Sequence, residues 1–190
     1  MKTLIVGLGS MGKRRIRMLL RFMPSEGIFG VDTQQARRDE VSQLYGVASY
    51  DDLQSALCAQ TFDCGFVCTS PLGHHAIAKA MLEAGLSVFS EINLVNDNHE
   101  ELLALARKKG VKYFLSSTPL YSMERICLTE CIRSTGPVTY QYHVGQYLPD
   151  WHPWENYKDF FVGNKATNGC REIMAIEFPW LIHTLGGRVL

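Results

Sequence analysis

The sequence lacks a long hydrophobic run. No stretch approaches the roughly 18 consecutive apolar residues of a membrane-spanning helix. It lacks a surplus of charge, with 19 basic against 19 acidic residues and a formal net charge of +0. Without such a surplus, and without a block of like charges, neither nucleic acid nor an anionic membrane is expected as the main partner. The densest basic stretch, Lys13 to Arg21, alternates with apolar residues and reads as the outer face of a helix. A secretory pattern is missing too, because the N-terminus opens at once on a strand. The six cysteines contain no C-x-x-C pair. Cys58, Cys64, Cys68, Cys127, Cys131 and Cys170 read as buried thiols of a reducing cytoplasm rather than a disulfide framework. Cys127 and Cys131 share a helix face with no His or Cys pair nearby in sequence, so core packing is preferred and no metal site is expected.

The strongest positive signal stands at the start. Leu4, Ile5 and Val6 read as a buried strand, and Gly7, Gly9 and Gly12 follow in G-x-G-x-x-G spacing. Lys13 to Met23 reads as a helix with Ile16, Leu19, Leu20 and Met23 on one stripe. A second apolar segment, Ile28 to Val31, closes on Asp32, twenty residues after Gly12. Strand, glycines, helix, second strand and acid in this order form a dinucleotide fingerprint. Gly7 permits the tight turn, Gly9 lets the backbone approach a pyrophosphate, and Gly12 lets the helix pack close to the strand. The helix start, with Ser10 and Met11, offers unpaired N–H groups to phosphates. Asp32 is expected to accept hydrogen bonds from the ribose hydroxyls and to repel a 2′-phosphate, which favours NAD. Arg37 and Arg38 keep NADP possible, although they read as the solvated face of the next helix.

Helices and apolar strands then alternate. Thr33 to Tyr45 is a helix with Thr33 as a possible N-cap, Val47 to Tyr50 an edge segment, and Asp51 or Asp52 the start of a short helix. Phe62 to Cys68 is an apolar strand, Leu72 to Ala84 a helix ended by Gly85, and Leu86 to Ser90 a strand. Asn96 to Lys109 is a helix ended by Gly110, and Val111 to Leu115 a last strand. The rhythm predicts an α/β fold: an N-terminal Rossmann-type, doubly wound parallel sheet over residues 1–118. Its ligands belong beyond the carboxyl ends of the strands.

After Pro119 the pattern changes. Tyr121 to Ser134 reads as a helix, and Val138 to Tyr147 has the period of a strand, with Val138, Tyr140, Tyr142 and Val144 on one face. Arg171 to Leu185 is an apolar stretch interrupted by Glu177 and Pro179, and it fits either a strand or a helix. Residues 119–190 are expected to form a second, smaller α+β domain with its own sheet. About 70 residues make a thin core, and the stop after Arg188, Val189 and Leu190 reads as a domain that is incomplete or completed by another subunit.

The residues at the strand ends resemble the Gfo/Idh/MocA oxidoreductases, the family of glucose-fructose oxidoreductase and inositol dehydrogenase. The glycine fingerprint opens the chain, and Phe66-Val67-Cys68 runs into Thr69-Ser70-Pro71-Leu72-Gly73-His74-His75. That run is similar to the family's Thr-Pro segment followed by a His. Ala80 to Phe89 matches its helix, glycine and strand, and Glu91 stands where the family has Glu-Lys-Pro. The resemblance implies a two-domain, oligomeric NAD(P)-dependent enzyme acting on a hydroxyl or carbonyl of a sugar, nucleotide sugar or cyclitol. It also implies that Thr69, Pro71, His75 and Glu91 join Gly7, Gly9, Ser10, Met11, Gly12 and Asp32 around the cofactor. His75 is read as a site residue and His74 as its solvated neighbour. The chain departs from the family at Ile92-Asn93, where the family has Lys and Pro. An isoleucine neither moves a proton nor polarises a reacting oxygen. The family's Asp and His motif in the second domain is also altered, with Glu172 and Glu177 near those positions.

The loop Tyr147 to Tyr157 gathers two Trp, a His and two acids between prolines. Aromatic faces beside hydrogen-bonding groups suit a sugar ring, and equally a subunit contact. Trp151, His152 and Tyr121 are the substrate candidates, and His152, Glu177 and His75 the catalytic candidates. Two functions follow. One is a cytoplasmic NAD-dependent oxidoreductase, homo-oligomeric through its second domain. The other is a non-catalytic nucleotide-binding scaffold or sensor that lacks the family lysine.

Overall fold

A computed structural model of the chain describes residues 1–186 apart from 96, 97, 137, 152 and 154. Two compact units are present: Met1–Glu91 with the chain as far as Leu115, and Ser116 onward with Ile92–Val95.

The first unit alternates strand and helix. In order these are β1 (Thr3–Val6), α1 (Ser10–Leu19), β2 (Ile28–Val31), α2 (Gln35–Tyr45), β3 (Ala48–Tyr50), α3 (Leu53–Ala59) and β4 (Cys64–Val67). They continue as α4 (His74–Glu83), β5 (Ser87–Ser90), α5 (His99–Lys109) and β6 (Tyr113–Leu115). All six strands are parallel, in the order β3-β2-β1-β4-β5-β6. The chain winds outward from β1 to β3 and then returns to the other side of β1 at β4. The strand order therefore reverses between β1 and β4, where such sheets bind ligands at their carboxyl ends.

The alternation of side chains along β1 decides the layers. Leu4 and Val6 join Val31, Val67, Met81, Leu82 and Leu102 in one buried cluster, while Ile5 joins Leu8, Ile16, Ile28, Val41 and Val47 in the other. Both faces of the sheet are thus covered, so its strands read as nearly continuous apolar runs. Gly46 and Gly110 close α2 and α5 in the left-handed conformation expected of them. Thr33 does not cap α2. Gln34 takes that position, and the Asp32 side chain accepts its N–H at 2.9 Å. Asp52 caps α3, accepting the Ser55 N–H at 2.8 Å.

The second unit holds a 3₁₀ turn at Thr118–Tyr121, α6 (Met123–Thr135), α7 (Leu148–Trp151), a turn at Phe161–Gly163 and α8 (Gly169–Leu185). The run after Arg171 is helical. Asn168 caps it by accepting the Arg171 N–H at 3.1 Å, and Glu177, Trp180 and Thr184 turn inward at helical spacing. Val138 to Tyr147, expected as a strand, lies outside any strand or helix, and among the described residues the unit contains no strand. Period-2 patterning makes a strand only where a ladder partner supplies its hydrogen bonds, and none is present among the described residues. The cysteines also correct the sequence reading. All six are free, but Cys58, Cys127, Cys131 and Cys170 are exposed and only Cys68 is fully buried. Among the described residues no helix is long and apolar enough to cross a membrane.

Candidate functional site

At the carboxyl ends of β1, β2 and β4 lies a cavity of about 370 Å³. Gly7, Gly9 and Asp32 of the fingerprint border it, as does Thr69 of the segment after β4, together with Thr33, Arg37, Asp51, Asp52, Leu53, Ser70 and Ile77. The three glycines have different reasons to be there. Gly7 has φ +94°, and a Cβ on it would lie 2.6 Å from the Cys68 carbonyl oxygen. A Cβ on Gly12 would run into the Gly7 carbonyl. Gly9 has φ −71°, which any residue adopts, and nothing lies within 4 Å of its Cβ position. Neither backbone nor packing requires a glycine there, so the open space beside it is what a side chain would spoil.

The start of α1 faces that space. Its first internal hydrogen bond runs from the Lys13 N–H to the Gly9 carbonyl at 3.0 Å, so the N–H groups of Ser10, Met11 and Gly12 have no helical partner. No side chain caps the helix and no acid sits in its first turn. Such a terminus suits an anion.

Asp32 is buried and firmly held. Its Oδ2 accepts the Leu8 N–H at 2.8 Å and its Oδ1 the Gln34 N–H at 2.9 Å, with Arg37 Nη1 3.4 Å from Oδ2. A carboxylate offers roughly four acceptor positions, which leaves room for a ribose hydroxyl. Arg37 and Arg38 do more than occupy the solvated face of α2. Both turn onto Asp32, Arg38 through a 2.6 Å bond to its carbonyl. A dinucleotide therefore fits these residues: phosphates at the α1 terminus beside Gly9, adenosine ribose at Asp32.

The other predicted residues are placed differently. Glu91 does not border the cavity. Its Oε1 receives Arg15 Nε at 2.5 Å, the two side chains being 9% and 11% exposed, and the Arg15 guanidinium lies 4.8 Å over the Phe89 ring. Arg15 thus faces inward, contrary to the outer-face reading of Lys13 to Arg21. The signal was its helical spacing from Gly12 and Leu19. Burial pushes the neighbouring Cys68 thiol far up, so it stays protonated. Pro71 is buried in the turn after β4. His74, read as solvated, is only 2% exposed and its Nε2 shares a 2.9 Å hydrogen bond with the Thr69 carbonyl, bracing the cavity wall. His75 lies against α5, with Nε2 3.3 Å from Glu101 Oε2, an ion-pair distance without hydrogen-bond alignment.

In the second unit, Tyr121 is exposed and His152 lies outside the described residues. Trp151 and Leu148 pack over Gly169 at the start of α8. Glu177 is buried, and its Oε2 accepts Tyr142 Oη at 2.7 Å and Trp180 Nε1 at 2.5 Å, with Arg125 at 3.7 Å. Among the described residues no cluster of His, Cys, Asp and Glu is arranged to hold a metal.

Glu172, also on α8, has a buried Oε2 with no hydrogen-bond partner among the described residues, and burial pushes its carboxyl up to about 7. The folded state keeps this proton at pH values where an unfolded chain, with a glutamate near 4.3, has lost it. Stability therefore falls as pH rises from about 4.3 to about 7. Glu172→Gln is expected to be more stable than the parent at pH 8 and to match it at pH 4. Urea unfolding followed by tryptophan fluorescence checks this, since all three tryptophans lie after Pro119. Equal pH dependence in both proteins would contradict it.

The model of an oxidoreductase family with an NAD-binding Rossmann fold, Gfo/Idh/MocA, matches residues 1–117. Several solved structures share the fold. GenD2 from gentamicin A biosynthesis, solved with NAD, is 22% identical with a TM-score of 0.62, over 69% of this chain and 38% of that one. The myo-inositol 2-dehydrogenase from Lactobacillus plantarum is 17% identical with a TM-score of 0.62, over 70% and 41%. The WlbA dehydrogenase from Bordetella pertussis, in complex with NADH and UDP-GlcNAcA, is 16% identical with a TM-score of 0.64, over 70% and 43%. The chain thus spans about two fifths of the length of these proteins. No curated protein matches it by sequence. On the match over residues 1–117, the chain belongs to the Gfo/Idh/MocA oxidoreductase family, with an NAD-binding Rossmann fold.

Proposed function

We propose that the chain serves an NAD-dependent oxidoreductase acting on a hydroxyl or carbonyl of a sugar, nucleotide sugar or cyclitol. The observation that carries this is the cavity at the switch point, with an uncapped helix terminus and a glycine whose Cβ position is open. Gly9 and the N–H groups of Ser10 to Gly12 hold the pyrophosphate, Asp32 the adenosine ribose, and Thr69 the wall between them. The nicotinamide supplies the hydride chemistry. The substrate class is supported by the names of two relatives in fold, an inositol dehydrogenase and a dehydrogenase solved with UDP-GlcNAcA.

A proton must also move. We assign that role to His152, an imidazole next to Trp151 in a stretch of sequence whose aromatic and polar residues suit a sugar ring. His75 sits against Glu101, and Glu177 has an oxygen already serving Tyr142 and Trp180, so both hold structure in this reading. The second unit carries substrate contacts and the contact between copies, supported by exposed Tyr140, Met174, Phe178 and Ile182. Free thiols throughout support a cytoplasmic setting.

Ile92 favours a second reading, a nucleotide-binding scaffold or sensor without turnover, because it replaces the family's lysine. NADH formation across a panel of sugars, nucleotide sugars and cyclitols separates the two. Tight NAD binding without any turnover would select the scaffold. For the cofactor end, Asp32→Ser is expected to weaken NAD by roughly tenfold or more, the loss of charge-assisted hydrogen bonds to ribose, and to weaken NADP less. Equal weakening, measured by calorimetric titration, would remove Asp32 from the ribose.

A further inference from the structure

Among the described residues lining the cavity, Asp32, Asp51 and Asp52 are acids and Arg37 alone is a base. The sheet register sets two of the acids side by side. Val31 pairs with Tyr50, and the Asp32 N–H donates to the Tyr50 carbonyl at 3.2 Å. Asp32 and Asp51 thus follow neighbouring strands, which lie about 4.8 Å apart. The charge of Asp32 is offset where it stands. Arg37 Nη1 is 3.4 Å from its Oδ2, and the Leu8 and Gln34 N–H groups donate to it at 2.8 and 2.9 Å. Asp51 and Asp52 have no such cation, since the ion pair that Arg37 makes among the described residues is with Asp32. Asp52 is held by neutral donors, the Ser55 N–H at 2.8 Å and the Ser55 hydroxyl at 2.5 Å. The Ser55 hydroxyl and N–H keep the Asp52 carboxyl below the usual carboxylate range, so it is charged at neutral pH. Both acids are exposed on the cavity's edge.

We propose that Asp51 and Asp52, at the end of β3, are specificity residues of this site, and that their charges exclude a ribose bearing a second phosphate. The proposal rests on reading the cavity as the adenosine end of a dinucleotide site. Arg37 and two N–H groups already answer Asp32, so the uncompensated negative charge at the ribose position comes from the next strand. A ribose hydroxyl is neutral and is not repelled by it. A phosphate monoester brings a charge of about −1.5 to −2 at pH 7. Arg37 could meet that phosphate only by leaving Asp32, which would uncover a third anion in the same cavity. Discrimination here is therefore repulsion from a residue that need not touch the cofactor.

The adenosine fragments 5′-AMP and 2′,5′-ADP test this on the full chain without any catalytic readout. In calorimetric titration at low salt, the parent is expected to bind 5′-AMP at least about tenfold more tightly than 2′,5′-ADP, from repulsion by two carboxylates. Asp51→Asn combined with Asp52→Asn is expected to narrow that gap by roughly tenfold and to leave 5′-AMP within about twofold. Asparagine caps a helix about as well as aspartate, so α3 keeps its start. Asp51→Asn alone leaves the cap untouched and is expected to narrow the gap by about threefold. Raising salt should narrow the gap in the parent more than in the double variant. Retained 5′-AMP binding shows that each variant folds. Equal affinity of the parent for the two fragments, or the same gap in the parent and both variants, overturns the proposal and leaves the NAD reading standing. Failure of 5′-AMP, 2′,5′-ADP and NAD alike overturns the dinucleotide reading, and this proposal with it.

Discussion

Replacing Arg15 by alanine is expected to destabilise the nucleotide-binding unit by about 3–5 kcal/mol, the cost of stranding a buried charge. Arg15 and Glu91 are each about nine-tenths buried, and they meet at 2.5 Å between the first helix and the end of the fifth strand. Alanine removes the cation and its contact with the Phe89 ring, and leaves the Glu91 carboxylate in a site shared with the Cys68 thiol. The same principle predicts that a double variant, Arg15→Met with Glu91→Leu, recovers most of the loss, because an apolar pair of similar volume has no charge to desolvate. Hydrogen exchange at the amides of Leu4 to Val6, which lie in the central strand and report global opening of this unit, measures the effect separately from the second unit. Protection of Arg15→Ala within about 1 kcal/mol of the parent would contradict the buried pair, since a broken pair costs several times that.

Gly9→Val is expected to do the reverse: leave the fold and remove the cofactor. The residue sits at φ −71° with nothing within 4 Å of its Cβ position, so a valine meets no strain and no clash. Its side chain then fills the approach to the amides of Ser10 to Gly12. NAD affinity should fall on the order of a hundredfold or more, equivalent to losing two charge-assisted hydrogen bonds. The thermal midpoint of the free protein should move by no more than about 2 °C, which is about 0.5–1 kcal/mol for a chain of this size. Gly12→Ala provides the contrast, since its Cβ would run into the Gly7 carbonyl and the damage falls on the fold itself. A Gly9→Val protein that folds and binds NAD as the parent does would sink the assignment of the glycine loop.

The first unit was legible because its signals are local and repeat. Apolar runs, glycines in left-handed helix ends and the G-x-G-x-x-G spacing each report a backbone requirement, and the parallel sheet follows from their alternation. Arg15 escaped because a basic residue among basic neighbours reads as surface until its place on the inward stripe is weighed. Arg37 and Arg38 escaped for a related reason: a helix face says where a side chain starts, and long side chains reach back to Asp32. His74 turns to the Thr69 carbonyl and His75 to Glu101 because one step along a helix turns the side chain by about 100°. In the second unit the apolar run after Arg171 was ambiguous between strand and helix, and a short run of that kind has no periodicity strong enough to decide. Val138 to Tyr147 shows the converse limit. Its pattern is that of a strand, but strands exist only in pairs, and pairing is a property of the whole chain's topology.

The central claim is that the start of the first helix and the loop before it bind NAD. Hydrogen–deuterium exchange of the full chain with and without saturating NAD tests it most directly. The account predicts slowed exchange at the amides of Gly9 to Gly12 and around Asp32, and no such change in Gly9→Val. Unchanged exchange at these amides while NAD is bound, or protection confined to the second unit, would contradict it.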